Sequence, residues 1–162
     1  MPLVHTRRFG PLEYADSAVL RFCSGPPGFT DQTRFALVER AELAPVVFLQ
    51  SLNSAELCFL AAPAMVVLPA YELAMTSEDL ERLGLSVARQ PTPGREVLCL
   101  ALLCAPENGP ITANLLAPVV VNLKTRAAVQ AVRADARYSH RHAIGAGPSS
   151  DSEPGSAEGS SC

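Results

Sequence analysis

The chain is 162 residues long, 48% apolar and 18% charged, the size and composition of one globular domain with its own core. Its net charge of −3 is unevenly placed: all 13 Lys and Arg lie within residues 1–145, while Asp151, Glu153 and Glu158 follow, leaving 13 cations against 13 acids before them. A neutral body excludes a global electrostatic drive towards nucleic acid, and apolar runs as short as Val97–Ala105 and Leu115–Val121 exclude a helical membrane span.

No apolar run follows the basic residues of Met1–Gly10, so no leader is read there and cytoplasmic residence is expected. Short strands rich in β-branched and bulky apolar residues are predicted over Val19–Cys23, Arg34–Val38, Val46–Gln50, Leu57–Ala61, Met65–Leu68, Val97–Leu103 and Val119–Asn122. Turn chemistry separates them at Gly25-Pro26-Pro27-Gly28, Ala62-Pro63, Thr92-Pro93-Gly94 and Glu107-Asn108-Gly109-Pro110. One helix is predicted after Ser77: Thr76 or Ser77 can cap it, Glu78, Asp79 and Glu81 favour its positive end, Leu80 and Leu83 share a face, and Gly84 suits its C-terminal boundary. Proline cannot donate to a ladder, so Ala117-Pro118 should mark the first residue of a strand, an edge or a bulge, with Val119–Asn122 following at once. Asn114 and Asn122 flank that boundary, where asparagine commonly serves backbone groups. The Gly, Ser, Pro and acid of Ala146–Cys162 read as a flexible tail on a domain of residues 1–145. The fold class is therefore all-β, a small barrel-like or sandwich domain of short antiparallel strands with one short helix.

Chemistry is sparse along this chain. Cys23, Cys58, Cys99, Cys104 and Cys162 are odd in number and lack C-x-x-C spacing, so they read as small apolar fillers in a reducing compartment. Two histidines, His140 and His142, could share a strand face, but His5 is the only other one and Arg141 between them repels a cation. Neither a nucleophile elbow nor a phosphate-cradling glycine loop is present, and no cofactor, metal or catalytic residue is expected. Lys124, Arg126, Arg133, Arg137 and Arg141 against Asp135 make one locally basic stretch, which reads as a solvated face with only Tyr138 as an aromatic.

The order of motifs is more informative than any one of them. Phe22-x-x-Gly25-x-x-Gly28-Phe29 precedes Phe35-x-Leu37, Phe48-Leu49-Gln50-Ser51-Leu52, Leu57-x-Phe59, Pro63 and Leu68-Pro69-x-Tyr71. The unbroken block Thr112-Ala113-Asn114-Leu115-Leu116-Ala117-Pro118-Val119-Val120-Val121-Asn122-Leu123 comes next, followed by Gln130 and Arg137-Tyr138-Ser139-x-Arg141-His142. From about Phe9 to Gly145 this series resembles the FliW family of bacterial flagellar assembly factors. Pro26 departs from the pattern, standing where a branched aliphatic residue is usual and implying a stiffer loop, and the acidic tail is additional.

The resemblance implies a partner switch without catalysis. Such proteins bind the RNA-binding translational repressor CsrA and also flagellin, so that export of flagellin frees the factor to capture the repressor. A monomer with no direct nucleic-acid or membrane contact is the corresponding expectation. Polar positions inside the matched motifs are the candidate partner-binding residues: Gln50, Ser51, Tyr71, Asn114 and Asn122. Each has a competing structural role at a turn or ladder end. Two other functions stand beside the switch: a chaperone for flagellin alone, and a small nucleic-acid-binding barrel using the basic stretch 124–141.

Overall fold

A computed structural model describes residues 2–23, 28–29 and 31–144. The expected tail at Ala146–Cys162 and the stiffened Gly25-Pro26-Pro27 turn lie outside them.

Ten strands form. A hairpin of β1 (Leu3–Thr6) and β2 (Gly10–Glu13) stands apart, and β3 (Val19–Phe22), β4 (Arg34–Glu39), β5 (Val47–Ser51), β6 (Cys58–Pro63), β7 (Val97–Cys104), β8 (Thr112–Asn122), β9 (Ala127–Gln130) and β10 (His142–Ala143) share one sheet. Neighbours from β3 to β8 pair antiparallel in sequence order, and β9 then pairs with both β8 and β3. That double pairing closes a seven-stranded barrel, with β10 added beside β8. Closure removes the exposed edges that a flat sheet of this size would offer to other chains. The β3–β9 contact is parallel, a departure from the purely antiparallel expectation, because β9 turns back from β8 and so runs alongside β3.

Alternation along the strands divides the apolar residues between the two sides of the barrel wall. Leu20, Phe22, Phe35, Leu49, Leu100, Val119 and Val121 fill the interior. Phe22 meets Phe35 edge-on at 5.5 Å, and the gap bordered by Phe22, Phe35, Leu49, Phe59, Leu102 and Val119 has no room for a water molecule. Each such side chain contributes about 1.5–3 kcal/mol by leaving water. Outside the wall, Leu12 of the hairpin covers Ala36, Val38 and Phe48, where Phe9 also packs edge-on against Phe48 at 5.3 Å. On another flank, Tyr71, Met75, Leu80 and Leu83 cover Val97, Cys99, Ala101, Ala113, Leu115 and Val120.

The expected helix is α2 (Ser77–Arg82), which follows a one-turn α1 (Ala64–Val67). Thr76 Oγ1 accepts the Asp79 N–H at 3.2 Å, and Gly84 takes φ +74 while the Leu85 N–H returns to the Leu80 carbonyl. Three further expectations need correction. Met65–Leu68 is helical turn rather than strand: the β6–β7 pairing ends at Pro63 opposite Leu100, and the freed chain closes a turn through Leu68 N–H to the Ala64 carbonyl. The strand expected over Val119–Asn122 begins earlier, because β8 starts at Thr112 and continues past Pro118. Among the cysteines, Cys23, Cys58 and Cys99 are free, but Cys104, at the partly exposed end of β7, is disulfide-bonded and so is no mere filler.

Candidate functional site

The motif-rich block Asn114–Asn122 lies in β8, where the register against β7 breaks. Leu102 faces Asn114, yet Leu100 faces Val119, so five residue steps of β8 span two of β7. The surplus forms a bulge at Leu115–Pro118. A bulge removes backbone groups from the ladder, and each needs a new partner unless water reaches it.

Every one of those groups finds one. Four successive carbonyls are taken by four different donors: Leu115 by the Tyr71 hydroxyl at 2.9 Å, Leu116 by Arg133 N–H at 3.0 Å, Ala117 by Gln130 Nε2 at 3.0 Å and Pro118 by Ala131 N–H at 2.8 Å. On the donor side, Leu115 N–H reaches the Ser139 carbonyl at 3.0 Å. Leu116 and Ala117 N–H both reach Asn114 Oδ1, at 3.1 and 2.9 Å. The fourth residue is proline and has no N–H to place. The sequence offered strand start, edge or bulge for Ala117-Pro118; the bulge is what forms, and its hydrogen bonding explains Asn114, Pro118, Tyr71 and Gln130 together.

Around the bulge sits a buried cation that sequence reasoning missed. By sequence Arg133 belongs to a basic stretch that reads as solvated, yet its side chain is only 3% exposed. Nε donates to Asp135 Oδ1 at 2.8 Å, Nη2 to Asp135 Oδ2 at 3.1 Å and Nη1 to the Glu72 carbonyl. The guanidinium also lies over the Tyr138 ring, 4.8 Å from its centroid, while Tyr138 packs at 4.5 Å from Tyr71 and accepts the Glu72 N–H at its hydroxyl. Arg137 pairs with Glu72 at 2.7 Å. The one available signal was the Arg133-x-Asp135 spacing with two tyrosines in matched motifs, and it does not show burial by itself. Burial holds the Tyr71 phenol protonated, its pKa pushed up to about 12, so it stays a donor to Leu115. Burial likewise pushes the Cys99 thiol up to about 12.

The other candidates lie elsewhere. Asn122 is 5% exposed at the far end of β8; it donates to the Leu83 carbonyl at 2.7 Å, tying α2 to the barrel, and accepts Lys124 N–H at 2.9 Å. Gln50 and Ser51 are fully buried at the start of the 51–57 loop. Gln50 Nε2 donates to the Ser51 carbonyl at 3.0 Å and also faces the Leu57 carbonyl at 3.2 Å. Ser51 Oγ donates to Gln32 Oε1 at 2.6 Å and accepts the Asn53 and Ser54 N–H groups. The structure thus brings Tyr71 and Asn114 into one cluster, and leaves Asn122 and the Gln50–Ser51 pair apart. Of the five, Asn114 alone is partly exposed rather than buried. Among the described residues no group of three or more His, Cys, Asp and Glu converges as a metal site, and no helix is long and apolar enough to cross a membrane.

Fold and site define a small closed β-barrel whose most distinctive sequence block builds backbone architecture. The FliW protein family model matches residues 3–144. The flagellar assembly factor FliW of Bacillus subtilis (strain 168) is 31% identical over 143 residues, covering 88% of this chain and 96% of that protein. The factor of the same name from Geotalea uraniireducens (strain Rf4) is 34% identical over 139 residues, covering 86% and 82%. A crystal structure of the flagellar assembly factor FliW superposes with a TM-score of 0.74 at 28% identity, over 88% of this chain and 96% of that one. This chain belongs to the FliW family of flagellar assembly factors.

Proposed function

We propose that the protein is a cytoplasmic, monomeric partner-switch regulator that binds CsrA, relieving repression of flagellin synthesis, and also binds flagellin. It works through protein contacts and needs no cofactor. The observation that carries this reading is the family match across residues 3–144, which includes the whole bulge and its partners. Each ligand lowers occupancy by the other, through overlap or through an unfavourable coupling. Gln50 and Ser51 serve binding by setting the shape of the 51–57 loop, Tyr71 and Asn114 that of the bulge, and Asn122 that of the 122–126 turn. The contact surface beside the bulge includes Val132, 49% exposed next to the Arg133–Leu116 hydrogen bond. The nucleic-acid alternative loses support from Arg133, which is buried, and Arg137, which is committed to Glu72.

Calorimetric titration of the full chain with CsrA and with flagellin, each repeated with the other partner saturating, tests the switch. Binding of both, each weakened by the other, is expected. Tight simultaneous binding without mutual weakening overturns the switch, and binding of flagellin with no heat from CsrA leaves a flagellin chaperone.

A further inference from the structure

Among the described residues, one flank of the barrel carries four cations with no carboxylate within ion-pair distance. Arg21 in β3 and Arg34 in β4 are direct cross-strand partners. Phe22 N–H bonds the Thr33 carbonyl, which makes 22/33 a hydrogen-bonded pair and the adjacent 21/34 a non-hydrogen-bonded one. In that geometry the two Cα atoms approach to about 4.5 Å and the side chains are closest. Both point outward, since their neighbours Leu20, Phe22 and Phe35 fill the interior. On the other side of β3, Arg21 N–H bonds the carbonyl of Arg126, and Lys124 lies in the same 122–126 turn. Arg21, Arg34 and Lys124 are exposed, and Arg126 is half-buried. Among the described residues none of the four has a carboxylate within ion-pair distance, whereas Arg82, Arg89, Arg133 and Arg137 all have one.

Two features here run against stability. Like charges directly opposite one another on neighbouring strands repel. Arg126 has φ +67, and among the described residues it is the one non-glycine side chain in the left-handed region, a conformation that glycine or asparagine takes more readily. A protein that keeps an unfavourable pair beside a strained cation is expected to use them.

We propose that Arg21, Arg34, Lys124 and Arg126 form a docking surface for a short acidic segment of a partner protein, one bringing two to four carboxylates onto this flank. Arginine forks suit carboxylates, and the bound acid would relieve the Arg21–Arg34 repulsion. Nucleic acid is the poorer fit, because no aromatic side chain of the described residues contacts these cations for base stacking. Of the chain's own acids beyond Ile144, Asp151 is the poorer fit on reach, and Glu153 and Glu158 are separated from a partner's acids by the variant below. Ile144 bonds the Ile111 carbonyl at the end of β8 remote from Arg126, and the 11 residues of β8 span roughly 30 Å. Seven residues from Ile144 to Asp151 extend at most about 25 Å. The surface is independent of which partners the family reading assigns.

The test is an amide NMR titration of the full chain with acetylated hexaglutamate in 20 mM salt. Saturable shifts at Arg21, Arg34 and Lys124–Arg126 are expected, with affinity falling several-fold at about 0.2 M salt as screening tightens. The double variant Arg21→Ser/Arg34→Ser should lose those shifts yet melt about 1–3 °C higher, because repulsion is relieved. A role in stability alone predicts the opposite sign of that melting change. The proposal is overturned if hexaglutamate shifts no amide on this flank, or perturbs all exposed arginines alike. It is equally overturned if hexathymidylate binds these residues more tightly than the peptide. Movement of the flank's amides in the peptide-free variant Asp151→Asn/Glu153→Gln/Glu158→Gln would assign the surface to the tail instead.

Discussion

Replacing Asn114 with alanine isolates the bulge from the rest of the fold. Asn114 Oδ1 is the acceptor for two successive backbone N–H groups, Leu116 at 3.1 Å and Ala117 at 2.9 Å. Losing it strands both donors in a half-buried segment that water reaches only in part. With two bonds lost at about 0.5–1.5 kcal/mol each and the stranded donors partly reached by water, the cost is about 1.5–3 kcal/mol. For a body near 150 residues, each kcal/mol moves the melting temperature by roughly 3 °C, so a fall of about 5–9 °C is expected by calorimetry. Asn114→Asp is the control: it keeps the acceptor, and Nδ2 makes no hydrogen bond among the described residues, so it should melt within about 2 °C of the parent. Amide exchange should localise the damage, with Leu116 and Ala117 exchanging faster in the alanine variant only. An alanine variant that melts normally, or an aspartate variant as damaged as alanine, would refute the capping role. Should the alanine variant keep its stability and lose CsrA, Asn114 is a contact residue.

Three further outcomes follow from the same geometry. Asn122→Ala removes the bond to Leu83 and an acceptor for the 122–126 turn, so urea unfolding should show a loss of about 2–4 kcal/mol with α2 exchanging first. Tyr71→Phe should cost about 1–2 kcal/mol by orphaning the Leu115 carbonyl. The folded-state value of the Tyr71 phenol is raised from 10.0 to about 12, so its stabilisation is complete below pH 10 and is lost as pH rises towards 12, a decline that ultraviolet-monitored alkaline unfolding should show flattened in the phenylalanine variant. Glu96 is the acidic counterpart: hydrogen bonds from Arg89 and the Thr92 N–H lower it from 4.5 to about 2, so its contribution is present above pH 4.5 and disappears as pH falls to 2. Carboxyl NMR should report that midpoint, and Arg89→Met should move it upward.

Strands with unbroken apolar composition were legible in the sequence, and Val19–Phe22, Arg34–Glu39, Val47–Ser51, Cys58–Pro63 and Val97–Cys104 lie within two residues of where it points. Composition misleads where pairing decides. Met65–Leu68 looks like a strand, but Pro63 is the last residue with a place opposite β7. The first half of β8 was missed because Asn114 and Pro118 read as a boundary; only the partners at positions 71, 130, 131 and 133 turn that boundary into a bulge. The hairpin β1–β2 and the alanine-rich β9 lack the apolar alternation that marks a strand. Arg133 was hidden for the same reason as the bulge: its burial depends on Tyr71, Glu72 and Tyr138, and local sequence counts it simply as a charge.

Under the proposed switch, the bulge also separates two ways in which the two partners would exclude one another. Its hydrogen bonds tie the segment around Tyr71, the β9 strand and the stretch from Ala131 to Ser139 into one unit. If CsrA and flagellin share a surface, saturating flagellin abolishes CsrA binding however the unit is perturbed. If they use separate surfaces, the weakening levels off at the coupling factor, typically 5–150-fold, and the unit is the physical connection between them. Tyr71→Phe cuts one of its links while leaving the phenyl rings packed. In the separate-surface case the plateau should therefore fall in that variant, with each partner's affinity measured alone nearly unchanged. A plateau in the parent that survives both Tyr71→Phe and Asn114→Ala would mean that the bulge shapes the barrel and carries no message between its surfaces.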